Sequence, residues 1–363
     1  MEAVALPWVV FGPVDLRALR RFDRVLGKNI LDYSTALRYD LSMEQEPKTL
    51  QQVTVMAADP DKAREYVLPR RWADKVVCPT CGSEKVTFQP RHNRWQCTNR
   101  HPRRQFTLKT GTVMEDSPLG LDKWLMAMWL VASNRNGISS WEFHRAIGIT
   151  QKSAWFLLHR IRLAMQDETF GGKLGGQVEC DETFIGGKAR NMHKDRKRRA
   201  QKDGNRMADK TIAFGMVERG GTVRAMTVED RGKAELQTRI KEHVEAGAAI
   251  FTDELPSYNG LSEEFKHEVI NHAVEYVNGN IHTNTMENFW SLLKRSLKGT
   301  YVSVEPYHLF RYLDEQAFRY NNRLPMSDSD RFSYLVRKIV GKRLTYAELT
   351  GKTKDGPTEA ETV

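Results

Sequence analysis

The chain has 363 residues, 40% of them hydrophobic, and its 56 Lys and Arg outnumber 46 Asp and Glu to give a formal net charge of +10. A chain of this size can form two or three domains around a sizeable core. Its apolar runs are too short for a transmembrane helix, which needs about 18 or more consecutive apolar residues. The excess positive charge favours a polyanionic partner, and nucleic acid is the first candidate.

The beginning of the chain carries little structural signal. Residues 1–48 show no clear hydrophobic period, and we expect them to be a poorly specified extension. A more regular pattern begins near Met43, and we hypothesise that translation starts there. Asp59 and Pro60 then match the cap and the first position of a short helix. Residues 49–113 are predicted to contain this helix and, after it, a small cysteine-containing module.

The chain has four cysteines: Cys78, Cys81, Cys97 and Cys180. The first three fall among short alternating runs that predict β-hairpins, and zinc would need a fourth ligand to complete a tetrahedron. His101 has suitable spacing after Cys97, and His92 is the competitor. The alternative is three buried thiols, but so small a module lacks a core without metal. We therefore predict one structural Zn²⁺ and a reducing, cytoplasmic compartment.

Residues 114–170 change to a helical period and predict three helices. Ser139 and Glu142 are placed as a capping box for the second helix, and Thr150 caps the third. The second and third helices meet at the sequence "AIGIT", which is the spacing of a helix-turn-helix that reads DNA. A plain three-helix bundle is the alternative.

The third helix of this region would present different residues on its two faces. The outer face would carry Gln151, Lys152 and Ser153 as DNA-reading residues, with His159 beside them. The inward-packing residues would be Trp155, Leu158 and Ile161, and the predicted phosphate contacts are Arg160 and Arg162.

From residue 171 a glycine-rich linker leads into strand-like patterns that extend to about residue 325. Three strands, a helix, two strands and a helix follow one another, and this order predicts an α/β fold in which helices flank a mixed sheet. Residues 326–363 are predicted to form a C-terminal helix and a disordered polar tail.

Residues 188–210 lie between the first two of these strands and hold ten Lys or Arg against three Asp. A solvated loop is one interpretation. The position beside an acidic strand favours a phosphate-contacting arm, to which Arg196, Lys197, Arg198 and Arg199 would contribute.

Three acids lie on separate predicted elements: Asp181 within a strand, Asp253 at the end of another, and Glu287 on a helix. Brought together, they would repel one another unless a cation neutralised them. Two Mg²⁺ ions bridged by Asp181 would activate a water or a 3′-hydroxyl and stabilise the leaving oxygen. Lys294 follows Glu287 by two helical turns on the same face and could contact DNA phosphates.

The strand alternation separates Asp181 from its neighbours, because successive side chains point to opposite faces. Cys180 and Glu182 are therefore predicted to face away from Asp181. The alternative is that Asp253 and Glu287 are an ordinary strand-end acid and an ordinary helix-surface acid.

Five separated stretches together resemble the ISXO-like transposases of bacterial insertion sequences. They are "CPTCGS…WQC…RRQFTLKTGTVMEDS", "VECDETFIGGK", "FTDELPSY", "HTNTMENFWSLLKRSLKGTY" and "YHLFRYLDEQAFRYNNR", in the expected order between residues 49 and 325. One departure is "CTNRH" where a second Cys-x2-Cys pair is usual, so that His101 must substitute.

The resemblance implies a zinc ribbon, a DDE catalytic domain of RNase H-like fold and cleavage of DNA at terminal inverted repeats. The 3′ ends would then be joined to target DNA, by a homo-oligomer bound to double-stranded DNA. Asp181, Asp253 and Glu287 match the three acids and Lys294 the trailing lysine. Asn284 and Asn288 are the nearby alternatives to Glu287, because some relatives carry asparagine as the third residue.

Two other functions stay open on the sequence. One is a zinc-ribbon and helix-turn-helix DNA-binding protein with an inactive nuclease domain. The other is a structure-selective nuclease that cuts without joining.

Overall fold

The computed structural model describes residues 46–166, 172–186, 210–269, 283–324 and 326–352. The chain divides into two compact units, Met1–Glu46 and Pro47–Val363, and all elements described below belong to the second. The predictions for residues 1–45, for the basic run and for the polar tail lie outside the described residues. None of the described helices combines the length and apolar character needed to cross a membrane.

The second unit begins with two helices and a small antiparallel sheet. The elements are α1 (Leu50–Ala58), α2 (Pro60–Arg71), β1 (Val86–Gln89), β2 (Arg94–Cys97) and β3 (Gln105–Phe106), with the strands in the order β1-β2-β3. The Asp59 carboxylate accepts hydrogen bonds from the backbone N–H groups of Asp61 and Lys62, as predicted for the cap of α2. The three strands confirm the hairpins that the sequence predicted for this region.

Three helices follow the ribbon: α3 (Leu121–Ser133), α4 (Ser140–Ile147) and α5 (Gln151–Met165). The predicted capping box of Ser139 and Glu142 begins α4, and the Thr150 side chain accepts from the Ser153 N–H at the start of α5. Gly148 ends α4 with φ of 66°, a left-handed conformation that glycine adopts without strain. The connection between α4 and α5 is thus tight, as its sequence indicates.

The predicted outer face of α5 was wrong in its second half. His159, Arg160 and Arg162 have exposed fractions of 0%, 3% and 2%, so they are not available to DNA phosphates. Leu158 and Ile161 do pack inward as predicted. Arg162 is paired with Glu315 from a helix near the far end of the chain, and Arg160 donates to the Glu115 carbonyl. Helical period alone does not show either contact.

A five-stranded mixed sheet forms the second half of the unit. Its strands are β4 (Gln177–Gly186), β5 (Lys210–Glu218), β6 (Val223–Val228), β7 (Ala249–Thr252) and β8 (Lys266–Val269). The order is β6-β5-β4-β7-β8, with antiparallel pairs on the β6 side and parallel pairs on the β8 side. This topology is RNase H-like and confirms the predicted α/β class.

Helices cover both faces of this sheet. On one face, α6 (Lys233–His243) contributes Leu236 and Ile240 to a core with Val178, Cys180 and Phe214. On the other face lie α7 (Asn284–Ser296) and α8 (Leu309–Asn321), whose apolar residues pack on Ala213 and Val217. The alternation along β4 and β5 therefore sets which side chains meet which helix.

The last helices, α9 (Asp328–Arg337) and α10 (Tyr346–Leu349), return to the N-terminal half. Phe332 of α9 is fully buried, with its ring centroid 5.5 Å from that of Tyr66 and 5.4 Å from that of Trp129. The C-terminal helix thus completes the core of the first helices, by contacts between residues some two hundred or more positions apart in the chain.

A buried ionic cluster ties α5 to α8. The Arg162 Nε atom lies 2.6 Å from Glu315 Oε2, and Arg319 and the Tyr301 hydroxyl donate to the other carboxylate oxygen. Burial alone would raise the pKa of Glu315, but Arg319 and Arg162 outweigh it and lower the pKa to about 2. The charge of Glu315 is therefore held by its partners in the interior.

Candidate functional site: a sulfur cluster and acids on the large sheet

The three N-terminal cysteines and His101 come together beside the hairpins. One ligand atom from each of Cys78, Cys81, Cys97 and His101 lies within 4.8 Å of all the others. The Cys81 and Cys97 sulfurs are 3.7 Å apart, and Cys78 Sγ is 3.4 Å from His101 Nε2. Zinc–sulfur bonds of about 2.3 Å in a tetrahedron place two sulfurs about 3.8 Å apart. The spacing of these donors fits one zinc ion.

Hydrogen bonds prepare the cluster for a metal. His101 Nδ1 donates to the Pro102 carbonyl at 2.6 Å, which leaves the lone pair of Nε2 directed at the sulfurs. Burial would raise the pKa of the Cys78 thiol, but backbone N–H groups of Thr80 and Cys81 lower it to about 7. His92, the competing ligand, is exposed on the turn between β1 and β2 and does not belong to the cluster.

Asp181 lies on β4, and Asp253 directly follows β7, the strand beside it in the sheet. Strands β4 and β7 are parallel, with Glu179 paired to Phe251 as the last pair. If this register continued for two more residues, Asp253 would come alongside Asp181, with the strands about 4.8 Å apart. The Leu255 N–H donates to Asp253 Oδ1 at 3.1 Å, which orients this carboxylate just past the strand.

Glu287 approaches the same place from the first turn of α7. This helix can lie close to the sheet because Gly215, the cross-strand partner of Asp181, has no side chain. A Cβ atom at Gly215 would come within 2.7 Å of Trp290 Cζ2, so the helix packs directly on the glycine. Glu287 and Lys294 are both exposed on α7.

The electrostatics show that the acids lie close together. Asp181 has its pKa raised to about 7, because burial disfavours its charge and the carboxylates of Glu182, Asp253 and Glu287 repel it. The pKa of Glu182 is also raised, by burial and by Asp253, although its hydroxyl partner Tyr258 opposes the shift. Cys180 packs in the α6 core, and the hydroxyl of Tyr258, a residue of that same core, contacts Glu182. Both side chains therefore face away from Asp181 as predicted.

The helix-turn-helix residues lie at the N-terminal end of α5. Gln151 Nε2 donates to Ser140 Oγ at 2.9 Å, and Ser153 takes part in the Thr150 cap. Lys152 is exposed, with its ammonium nitrogen 4.7 Å from the ring centroid of Tyr346. Of the three residues predicted to read DNA bases, Lys152 is the one that is both charged and exposed. Residues Arg196, Lys197, Arg198 and Arg199 lie outside the described residues.

Sequence reasoning gave Glu179 no role of its own. This residue is completely buried, and its carboxylate contacts the start of α7. The signal was present in the sequence, because Glu179 lies two positions before Asp181 and so shares its face of the strand. A charged residue on a buried strand face must be paired.

A ribbon whose cysteine and histidine cluster suits zinc precedes an RNase H-like sheet, with Asp181 on its central strand and Asp253 just past the neighbouring strand. This is the order of domains that the resemblance to ISXO-like transposases implies. Family models agree: the transposase zinc-ribbon domain matches residues 58–99, and the ISXO2-like transposase domain matches residues 173–321. The chain therefore carries a transposase zinc-ribbon domain followed by an ISXO2-like transposase domain.

Two individual proteins are also similar. An uncharacterized protein in the transposable element ISH50 of Halobacterium salinarum is 27% identical over 248 residues, covering 65% of this chain and 82% of that protein. Among solved structures, a chain of the simian T-cell lymphotropic virus intasome in complex with the PP2A regulatory subunit B56 gamma matches with a TM-score of 0.25 and 15% identity. That match covers 47% of this chain and 61% of the other.

Proposed function

We propose that the protein cuts DNA at the terminal inverted repeats of an insertion sequence and joins the freed 3′ ends to target DNA. Asp181, Asp253 and Glu287 would be the three acids of its active site. The observation that supports this most directly is the parallel register of β4 and β7, which, continued two residues past its last pair, would bring Asp253 beside Asp181, while Glu287 lies in the first turn of α7.

The acids suit divalent magnesium. Carboxylate oxygens are the ligands that Mg²⁺ prefers, and the mutual repulsion that raises the pKa of Asp181 would be relieved by a cation. When bound, two Mg²⁺ ions would activate a water or 3′-hydroxyl and stabilise the leaving oxygen. Asp181, Asp253 and Glu287 would hold the ions.

Other residues would position the DNA. Lys294 is exposed two turns after Glu287 on the same helix, where its ammonium group could contact a phosphate near the scissile bond. Gln151, Lys152 and Ser153 would meet DNA bases at the start of α5. The basic run with Arg196, Lys197, Arg198 and Arg199 would contact the backbone, and the zinc ribbon would add to end recognition.

Pairing of two element ends requires more than one copy of the active site on the DNA. We therefore propose that the protein acts as a dimer or larger homo-oligomer on double-stranded DNA.

The test is a strand-transfer assay with purified protein, Mg²⁺ and the DNA that flanks its own gene. Asp181→Asn removes the charge with little change in shape, and we expect it to bind the DNA but to yield no joined product. The matched control is Glu268→Gln, which removes one charge from an exposed position on β8 of the same sheet. Parent-like transfer by D181N would overturn the metal-site assignment.

The same assay separates the two other functions. Binding by the parent protein without any cleavage would indicate a DNA-binding protein with an inactive nuclease domain. Cleavage that never leads to joining, and that needs no particular end sequence, would indicate a structure-selective nuclease.

A further inference from the structure

Glu179 is a buried carboxylate that receives hydrogen bonds from the N-terminus of α7. Its Oε2 atom accepts from the backbone N–H groups of Thr285 at 2.9 Å and Met286 at 3.0 Å. Its Oε1 atom accepts from the Thr285 hydroxyl at 3.0 Å. The exposed fraction of Glu179 is 0%. A strand residue therefore caps a helix that is more than a hundred residues away in the chain.

This cap matters because α7 lacks one of its own. The preceding residue, Thr283, makes no side-chain capping hydrogen bond. The first N–H groups of a helix need partners, and the positive end of the helix dipole favours an anion. The Glu179 carboxylate supplies both the hydrogen-bond acceptor and the negative charge. Glu287 follows directly after Thr285 and Met286, the two residues whose backbone N–H groups donate to Glu179.

Arg219 links the same carboxylate to β7, the strand that precedes Asp253. Arg219 Nε donates to Glu179 Oε1 at 2.7 Å, and the Arg219 guanidinium carbon lies 4.1 Å from the ring centroid of Phe251. Phe251 is the cross-strand partner of Glu179 and comes two residues before Asp253. Glu179 and Arg219 thus contact all three elements that carry the active-site acids: β4, β7 and α7.

We propose that Glu179, with Arg219, is a positioning residue that sets the distance of Glu287 from Asp181 and Asp253. This inference rests on the proposed function, because it assumes that the three acids act together on Mg²⁺. It assigns Glu179 no contact with the metal or with DNA. Its carboxylate is committed to the helix N-terminus and to the arginine.

Glutamine at this position cannot reproduce these contacts. The N–H groups of α7 and the Nε–H of Arg219 all need acceptors, but an amide has only one oxygen. If the amide oxygen faces the helix, the amide NH₂ group faces the arginine donor. Glu179→Gln should therefore loosen either the cap or the arginine contact while keeping the volume of the side chain.

The experiment compares the full-length parent, E179Q and the control E268Q. Mn²⁺ binding is measured by electron paramagnetic resonance, hydrogen exchange is followed in the peptide that contains residues 283–290, and strand transfer is titrated with Mg²⁺. For E179Q we expect a rise of about 10–100-fold in half-saturating Mn²⁺ and Mg²⁺, the range found when residues that orient metal ligands are altered. Exchange in the first turn of α7 should be faster. E268Q should match the parent, and all three should bind DNA ends equally.

The outcomes distinguish the two proposals. If the parent transfers strands and E179Q binds Mn²⁺ within twofold of it, Glu179 has no positioning role and the proposed function stands. If the parent binds Mn²⁺ without transferring strands, the proposed function fails, and the ratio of E179Q to E268Q still decides the role of Glu179. A parent that binds no Mn²⁺ overturns both. A lower unfolding temperature of E179Q with parent-like Mn²⁺ affinity would show a purely structural role.

Discussion

Gly215→Ala tests whether the close packing of α7 on the sheet sets the geometry of the acids. Gly215 lies opposite Asp181 in the β4–β5 pair. An added Cβ atom would be 2.7 Å from Trp290 Cζ2 and 3.0 Å from Trp290 Cη2, and it would also meet Met286 Cε. The methionine can turn away, but the indole of Trp290 is buried with 3% of its surface exposed. The helix must therefore move.

The size of the effect follows from these distances. Non-bonded carbon atoms prefer to be about 3.5 Å or more apart, so the Trp290 ring must retreat by about 0.8 Å. Overpacking of this kind costs about 1–3 kcal/mol of the free energy of unfolding. A displacement of about 1 Å at a reacting group can reduce a rate by about a hundredfold. Since Glu287 lies on the displaced helix, we expect strand transfer by G215A to fall by about 10–100-fold.

The assay measures strand transfer and thermal unfolding of G215A beside the control G299A. Gly299 follows α7 in the turn Leu297–Tyr301, and a Cβ atom there would meet nothing within 4 Å. G299A should keep parent-like activity and stability. If G215A transfers strands within twofold of the parent and unfolds at the same temperature, α7 does not depend on contact with Gly215 and the packing argument is wrong.

Three further results are expected. His101→Ala should lower the zinc content measured by mass spectrometry after mild chelation, while His92→Ala should retain about one zinc per chain, because only His101 belongs to the sulfur cluster. Glu315→Gln should lower the free energy of unfolding by about 3–5 kcal/mol in a denaturant titration, since it leaves two buried arginines without their counter-charge. The control Glu264→Gln removes one partner of an exposed ion pair and should lower it by less than about 1 kcal/mol. Because the folded pKa of Glu315 is depressed to about 2 from 4.5, its contribution should be complete above pH 4.5 and disappear as the pH falls towards 2. Lys152→Ala should weaken binding to the DNA ends of the element. If the lysine contacts a phosphate, the slope of log binding constant against log salt concentration should also fall by about one unit, and an unchanged slope would argue against that contact.

Much of the fold follows from local sequence patterns. The switch from alternating to helical period predicted the hairpins, the three helices after them and the strands of the sheet, because each element must bury one face or stripe. The capping residues Asp59, Ser139 and Thr150 marked helix starts, and the structure confirms all three. Strand alternation also separated Glu182 from Asp181 correctly. These features depend only on residues that are neighbours in the chain.

Long-range contacts decided what local patterns left open or predicted wrongly. The sequence predicted that Arg160 and Arg162 contact phosphates because both are basic. In the structure Arg162 is instead paired with Glu315, 153 positions later. The choice of His101 over His92 likewise depended on how the hairpins fold. In both cases the side-chain chemistry suits the predicted role, and only the position of the residue in space decides whether it can play that role.

The sequence by itself determined the class of fold and the cysteines and histidine that suit zinc, and the three acids proposed to hold magnesium stay a prediction from it. The tertiary structure alone showed that the strand carrying Asp181 pairs in parallel with the strand that leads to Asp253, that α7 packs on Gly215, and that Glu179 hydrogen-bonds to α7 and to Arg219. The physical reason is that side-chain chemistry and period are local properties of the chain. Register between parallel strands and the docking of a helix on a sheet are set by packing between segments up to about a hundred residues apart.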